Sequence, residues 1–307
     1  MDKSTTSTSK PKKRKKPKGG HSSMTRRSMR RWSWLFIGPV FAAFIIGFIW
    51  PFAQGIYLSF CGKFNTISNA KFQGFTNYIK AFQDATFGHA FWFTALFAIV
   101  SVILINLLAF AAAYALTQGV KGSNLFRTVF FMPNLIGGIV LGYLWSMIFD
   151  GILYIYKTNI LAKAEYGFWG LIILLLWQQV GYMMIIYIAG LQAVPEDMIE
   201  AAKIDGATKT QTLFRVIIPN VMPSITICTF LTLTNGFKMF DQNLSLTGGE
   251  PAKQSQLLAL NIYDTFYARS GAQWKGIGQA KAVVFFLIVV IIALIQLRAT
   301  TSREVQQ

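Results

Sequence analysis

Glu200-Ala-Ala-Lys-Ile-Asp-Gly-Ala-Thr-Lys-Thr-Gln-Thr-Leu-Phe-Arg-Val-Ile-Ile-Pro219 is a polar, helix-forming stretch set between two long apolar blocks. Pro195 suits the first position of a helix, where its missing N–H costs nothing. Glu196, Asp197 and Glu200 place negative charge near that helix's positive end. Ala201 and Ala202 carry little side chain, so a partner's surface can approach the backbone closely. Gly206 offers a helix stop, and Thr208 or Thr210 can cap a second helix. The stretch predicts helix, Gly turn, helix, leading into an apolar span that begins near Val216.

The blocks on either side set the fold class. A chain of 307 residues with 53% hydrophobic and only 13% charged residues, and a positive mean hydropathy, is not a pair of soluble domains. Crossing ~30 Å of hydrocarbon takes about 20 apolar residues in a helix. Stretches of that length run over Ser33–Leu58, Ala90–Leu116, Thr128–Phe149, Gly167–Leu191, Val216–Phe237 and Ile277–Leu297. The expectation is an all-α, polytopic membrane protein with six transmembrane helices. Lys281 falls near the outer end of the sixth span, close enough to snorkel to the surface. Pro219 and Pro223 in the fifth span, and Pro133, Gly137 and Gly138 in the third, are expected bend points.

Residues 1–31 are different material. Twelve of the 29 Lys and Arg lie there against a single acid, Asp2, and Ser, Thr, Pro and Gly fill most of the rest. Such a run cannot bury an apolar face. It reads as a solvated cytoplasmic tail that touches anionic lipid, and no folded nucleic-acid-reading motif follows it. With the N-terminus inside, 19 Lys and Arg face the cytoplasm and eight face out, with Lys238 and Lys281 at span ends. Six spans then put both termini in the cytoplasm of a plasma-membrane protein.

Several function classes are excluded by what is missing. Cys61 and Cys228 sit in or near different spans, and His21 and His89 are far apart, so neither a disulfide nor a metal site is expected. No Gly-x-x-x-x-Gly-Lys-Ser/Thr phosphate loop occurs, so the chain is expected to bind no cofactor and catalyse no reaction itself. The spans carry essentially no Asp or Glu and no evident repeat, which argues against an ion-coupled secondary transporter or channel.

The central stretch resembles the coupling loop of ABC importer permeases. That loop has the form Glu-Ala-Ala, three residues, Gly, nine residues, Ile, one residue, Leu-Pro. Glu200, Ala201, Ala202, Gly206 and Pro219 match it, with Val216 for the Ile and Ile218 for the Leu. Phe72-Gln-Gly-Phe-Thr-Asn-Tyr78, Leu125 to Pro133, Ala189 to Pro195, Phe240-Asp241, and Leu246 to Gly249 with Pro251 resemble the carbohydrate-uptake group related to the maltose importer. The closing Leu297-Arg298 and Arg303-Glu-Val305 do likewise, while Gly151 to Gly167 departs from the group. After the tail (residues 1–31), which its composition marks as disordered, the resemblance implies a type I permease with a first helix and external loop (32–88), a five-helix core (89–298) carrying the coupling loop (195–215), and a cytoplasmic end (299–307). It also implies the partners: a second permease, a cytoplasmic ATPase dimer that binds ATP and Mg, an extracytoplasmic solute-binding protein, and membrane lipid.

A sugar is recognised by hydrogen-bonding side chains and aromatic faces. Span four offers Gln178, Gln179 and Tyr182, and span five offers Thr232, Asn235, Gly236 and Met239 at helical spacing. In the related permeases, matching positions line the mid-membrane substrate chamber. Amides and a tyrosine, with only Lys238 nearby, favour a neutral di- or oligosaccharide over glycerol phosphate.

Overall fold

The computed structural model describes residues 35–64 and 66–301. The basic tail and the last six residues lie outside the described residues. Helices run α1 (Leu35–Ser59), α2 (Thr76–Gln83), α3 (Ala85–Thr117), α4 (Ser123–Phe131), α5 (Gly138–Tyr154), α6 (Ala164–Gln192), α7 (Glu196–Ile204), α8 (Lys209–Asn220), α9 (Met222–Phe237), α10 (Asp241–Leu246), α11 (Leu258–Tyr263) and α12 (Gln273–Thr301). An isolated bridge pairs Cys61 with Phe72, and no strand is found among the described residues. The described residues divide into two compact units, with the boundary between Gln54 and Gly55. In the first, α1 carries a wide turn at Ile45–Ile49 and an intrahelical stack of Phe44, Phe48 and Phe52.

Four helices, α1, α3, α6 and α12, are each long and apolar enough to cross a membrane. The other two expected spans are bent pairs, and counting each pair as one span gives six. Between Ser123–Leu135 and Gly138–Tyr154 the chain turns by 102°. Pro133 sits in a tight turn there, and Ile136 and Gly137 are extended, so the helical ladder is broken over two residues. Between Lys209–Asn220 and Met222–Phe237 the bend is 70°. Pro219 and Pro223 flank it, each lacking the N–H that would continue the ladder. Neither Thr128–Phe149 nor Val216–Phe237 is a straight span, and each breaks beside its prolines.

The second unit is organised on α3 and α6. Phe97, Ile105, Ala109 and Ala113, four to eight residues apart on one face of α3, are fully buried with Leu171, Leu174, Met183 and Met184 of α6. Small residues here let the helices close up, which is what drives association where lipid is as apolar as leucine. On the other side of α3, Leu96, Ile99, Ile103 and Leu107 form an exposed apolar stripe suited to acyl chains. Gly181 of α6 lies where α4 crosses: a Cβ there would overlap the carbonyl of Phe130, so only glycine permits this approach.

Candidate functional site: a surface helix pair and a polar bundle interior

α7 starts on Pro195, which occupies the cap position rather than the first helical one. Glu196 and Asp197 fill its first turn and Lys203 its last, each complementing the helix dipole. It ends in a double backbone closure: the Gly206 N–H donates to Lys203 O (3.1 Å), and the Ala207 N–H donates to Ala202 O (2.9 Å). This closure holds Gly206 at φ +78°, and among the described residues nothing beyond its chain neighbours lies within 4 Å of where its Cβ would be. The glycine is thus needed here for its backbone conformation, not for packing within the chain.

Of the two threonines, Thr208 caps α8. Its Oγ1 accepts from the Gln211 N–H (3.3 Å), while Gln211 Oε1 accepts from the Thr208 N–H (2.8 Å). Glu200 and Ala201 are exposed, Ala202 is half-buried, and Ile204 is 86% exposed. Ile199 is the α7 side chain packed against the main core. A cleft of about 260 Å³ separates the helix from the bundle, lined by Tyr114, Thr117, Gln118, Gln192, Glu196 and Ile199 among others. Pro219 lies half-buried at the bend into α9. The outcome is a short, rigidly ended helix that presents small and apolar side chains away from its own bundle.

The expected chamber residues fall into two groups. Gln178 and Gln179 are buried on α6, and each is hydrogen-bonded across the bundle. Gln242 Nε2 donates to Gln178 Oε1 (2.9 Å), and Asn235 Nδ2 donates to Gln179 Oε1 (3.0 Å). Gln178 Nε2 also reaches Ile136 O (3.4 Å), a carbonyl freed by the break before α5. Tyr182 is partly buried, its ring 6.4 Å from that of Phe131. Thr232, Gly236 and Met239 are buried in packing instead. Thr232 is tied to Asn106, Gly236 faces Ala98 on α3, and Met239 is 3% exposed within the main core.

Sequence reasoning missed three features. Gln242 was not singled out, although it adjoins the Phe240-Asp241 pair and completes the amide ladder with Gln178. Asn106 is a lone amide in a 33-residue apolar helix, and such a group must find partners. It accepts from the Tyr187 hydroxyl (2.6 Å) and donates to Thr232 Oγ1 (3.0 Å), joining α3, α6 and α9. The third is Lys281, which does not snorkel. Its ammonium is fully buried and donates to Asp84 Oδ2 (2.9 Å), Asn261 Oδ1 (2.9 Å) and Thr265 Oγ1 (2.8 Å), and it lies 5.2 Å from the centre of the Phe87 ring. Arg269 also pairs with Asp84 (2.8 Å) while stacking on Trp274. No group of three or more potential metal ligands occurs among the described residues.

Comparison with known proteins places this architecture. Residues 112–301 match the family described as binding-protein-dependent transport system inner membrane component. The chain is 42% identical over 283 residues to a probable starch degradation products transport system permease of Thermoanaerobacterium thermosulfurigenes, covering 90% of this chain and 96% of that one. It is 31% identical over 284 residues to a multiple sugar-binding transport system permease of Streptococcus mutans, covering 89% and 97%. A crystal structure of a bacterial ABC transporter involved in import of the acidic polysaccharide alginate superposes with a TM-score of 0.76 at 18% identity, over 91% of this chain and 99% of that one. With a helix pair at the bundle surface and a bundle of bent and straight spans, the chain belongs to the binding-protein-dependent transport system inner membrane components, and is an ABC importer permease subunit of the carbohydrate-uptake group.

Proposed function

We propose that the chain forms half of the translocation path for a neutral di- or oligosaccharide, with Gln178, Gln179, Tyr182 and Asn235 as its polar lining and Thr232, Gly236 and Met239 backing them. The observation that carries this reading is the uncharged amide ladder: Gln242 to Gln178 and Asn235 to Gln179, side by side in an apolar bundle. Amides offer both donors and acceptors, which suits sugar hydroxyls. An anionic solute would call for fixed positive charge, and Lys238, the nearest lysine in sequence, is exposed beyond the end of α9. The names of the starch-product and multiple-sugar relatives point the same way.

In this proposal the N- and C-termini are cytoplasmic and a second permease completes the path. A cytoplasmic ATPase dimer, which binds the ATP and Mg, engages Glu200, Ala201, Ala202 and Gly206. An extracytoplasmic binding protein delivers the sugar. Movement of α7 is passed through the bend at Pro219 into α9, which carries Asn235, so that access to the lining alternates. The amide pairs are the closed state of that lining, and sugar hydroxyls exchange with them.

The test is uptake of neutral malto-oligosaccharides by the reconstituted complex carrying Gln178→Ala, Tyr182→Ala or Asn235→Ala. Uptake is expected to fall at least tenfold in each, with ATPase association retained. The thermal midpoint separates lining from packing for Gln178, which also serves Ile136. Parental uptake in all three variants, or a strict preference for glycerol phosphate, would sink the proposal.

A further inference from the structure

The segment Lys71-Phe-Gln-Gly-Phe-Thr-Asn-Tyr-Ile-Lys-Ala-Phe-Gln83 takes no part in the coupling loop or the amide ladder, yet it is tightly held. The Asn77 amide on α2 donates to the carbonyls of Ser59 (2.9 Å) and Cys61 (2.6 Å). The Tyr78 hydroxyl shares a 2.6 Å hydrogen bond with Ser59 Oγ, and Ala81 is fully buried. Asn77 also closes over Gly276, where a Cβ would lie 2.6 Å from its Nδ2. These contacts clamp α2 at the level of three span ends: the last residue of α1, the first of α3 across Asp84, and the first turn of α12. Pro195 and α7 adjoin the other end of α3, which at 33 residues is roughly 50 Å away.

Around α2 the side chains fall into three sectors. Asn77, Tyr78 and Ala81 face the protein. Thr76, Lys80 and Gln83 form an exposed polar edge. Between them runs an apolar stripe, Phe75, Ile79 and Phe82, at helical spacing. Phe75 and Phe82 are 68% exposed and Ile79 58%, and Phe72 beside them is also 68% exposed. The Phe60, Phe75 and Tyr78 rings cluster with centroids 5.2 to 5.8 Å apart. Lys63, Lys71 and Lys80 are exposed around the stripe, and α2 itself holds no acid. The nearest carboxylate, Asp84, is taken up by Lys281 and Arg269.

A helix wedged against protein on one side, apolar on a second and polar with a lysine on a third is built for a membrane–water boundary. We propose that α2 lies in the surface plane of the leaflet opposite the coupling loop. There Phe75, Ile79 and Phe82 enter the boundary between headgroups and acyl chains, and Lys71 and Lys80 meet lipid phosphates. Two observations choose lipid over a protein partner. The stripe lies beside the contiguous ends of α1, α3 and α12, and the exposed charges described around it, Lys63, Lys71 and Lys80, are positive where anionic headgroups would lie. The role of Asn77 is then to hold the helix at that depth.

The experiment uses the full chain assembled with its partner subunits in nanodiscs of phosphatidylethanolamine and phosphatidylglycerol. In a Cys61→Ala, Cys228→Ala background, single nitroxides are placed at Phe75→Cys, Ile79→Cys, Phe82→Cys and Gln83→Cys. Collisions with oxygen are expected to exceed those with a water-soluble nickel chelate at least threefold at 75, 79 and 82, and the order is expected to reverse at 83. Nickel dominating at all four would mean open water. Exclusion of both reagents at 75, 79 and 82 would mean a protein partner covers the stripe. Either overturns the proposal. A second arm keeps the native cysteines: the thermal midpoint of the parent is expected to rise with phosphatidylglycerol content, and Lys71→Gln with Lys80→Gln to abolish that rise. A parental midpoint indifferent to phosphatidylglycerol would overturn the headgroup contact.

Discussion

Replacing Lys281 with methionine is expected to destabilise the folded chain by about 3–5 kcal/mol, the range for removing one partner of a buried ion pair. The lysine is fully buried, and its three acceptors come from two other parts of the chain: Asp84 before α3, and Asn261 on α11 with Thr265 one helical turn on. Methionine fills the volume but leaves Asp84 with only Arg269 and Thr86 as partners and takes the ammonium donor from Asn261 and Thr265. Lys281→Met combined with Asp84→Asn is expected to recover at least half of the loss. Asparagine keeps the cap to the Thr86 N–H and carries no charge to strand. The check is the unfolding midpoint of the full chain in nanodiscs. A Lys281→Met midpoint matching the parent's, or a double variant worse than the single one, would refute the pair's structural role.

The pH dependence of this cluster has a definite sign. Burial would push the Asp84 carboxyl up, but hydrogen bonds from Lys281, Thr86 and Arg269 outweigh it and hold the group well below the ordinary carboxylate range. A depressed carboxylate contributes stability that is fully present above its unfolded pKa, about 4, and is lost as pH falls through the lower folded value. The stability difference between the parent and Asp84→Asn is therefore expected to stay flat from about pH 5 to 8 and to shrink only in stronger acid.

The sequence carried the architecture where local signals coincide with global ones. Long apolar runs bounded by charge became α3, α6 and α12 with ends shifted by a few residues, because only those runs can bury their backbone groups in lipid. Pro133 and Pro219 marked both bends, since a missing N–H is a local fact. Neither the 102° nor the 70° angle was legible; the first is set by what each half packs on, α4 against Gly181 of α6 and α5 against Ser245 of α10. Lys281 misled for a related reason. Near a span end a lysine is expected to reach water, and only folding shows that Asp84, 197 residues earlier, arrives beside it. Thr232, Gly236 and Met239 share a stripe with Asn235 by spacing. Helical spacing cannot say which edge of a stripe turns toward Asn106 and Ala98 and which toward Gln179.

Substituting Ala201 by tryptophan is expected to abolish transport, at least a hundredfold, while leaving the fold intact. Ala201 is exposed on α7, so a bulky side chain there meets solvent in the isolated chain and should change its stability by no more than about 0.5 kcal/mol. If α7 is the helix that docks into the ATPase, the same side chain occupies space that the ATPase groove needs, and overpacking a closely fitted contact is strongly unfavourable. Gly206 gives a contrasting variant. Gly206→Ala places a Cβ in open space but forces a non-glycine residue to φ +78°, which costs about 1–2 kcal/mol and loosens the closure onto Ala202 and Lys203. It should weaken coupling several-fold rather than abolish it, because the docking surface stays clear while its geometry softens. Copurification of the ATPase, uptake and the unfolding midpoint separate the two cases. Ala201→Trp should lose the first two and keep the third, and Gly206→Ala should lower all three modestly. Full uptake with bound ATPase in Ala201→Trp would remove α7 as the motor contact and move the search to the exposed Phe214 and Arg215 on α8.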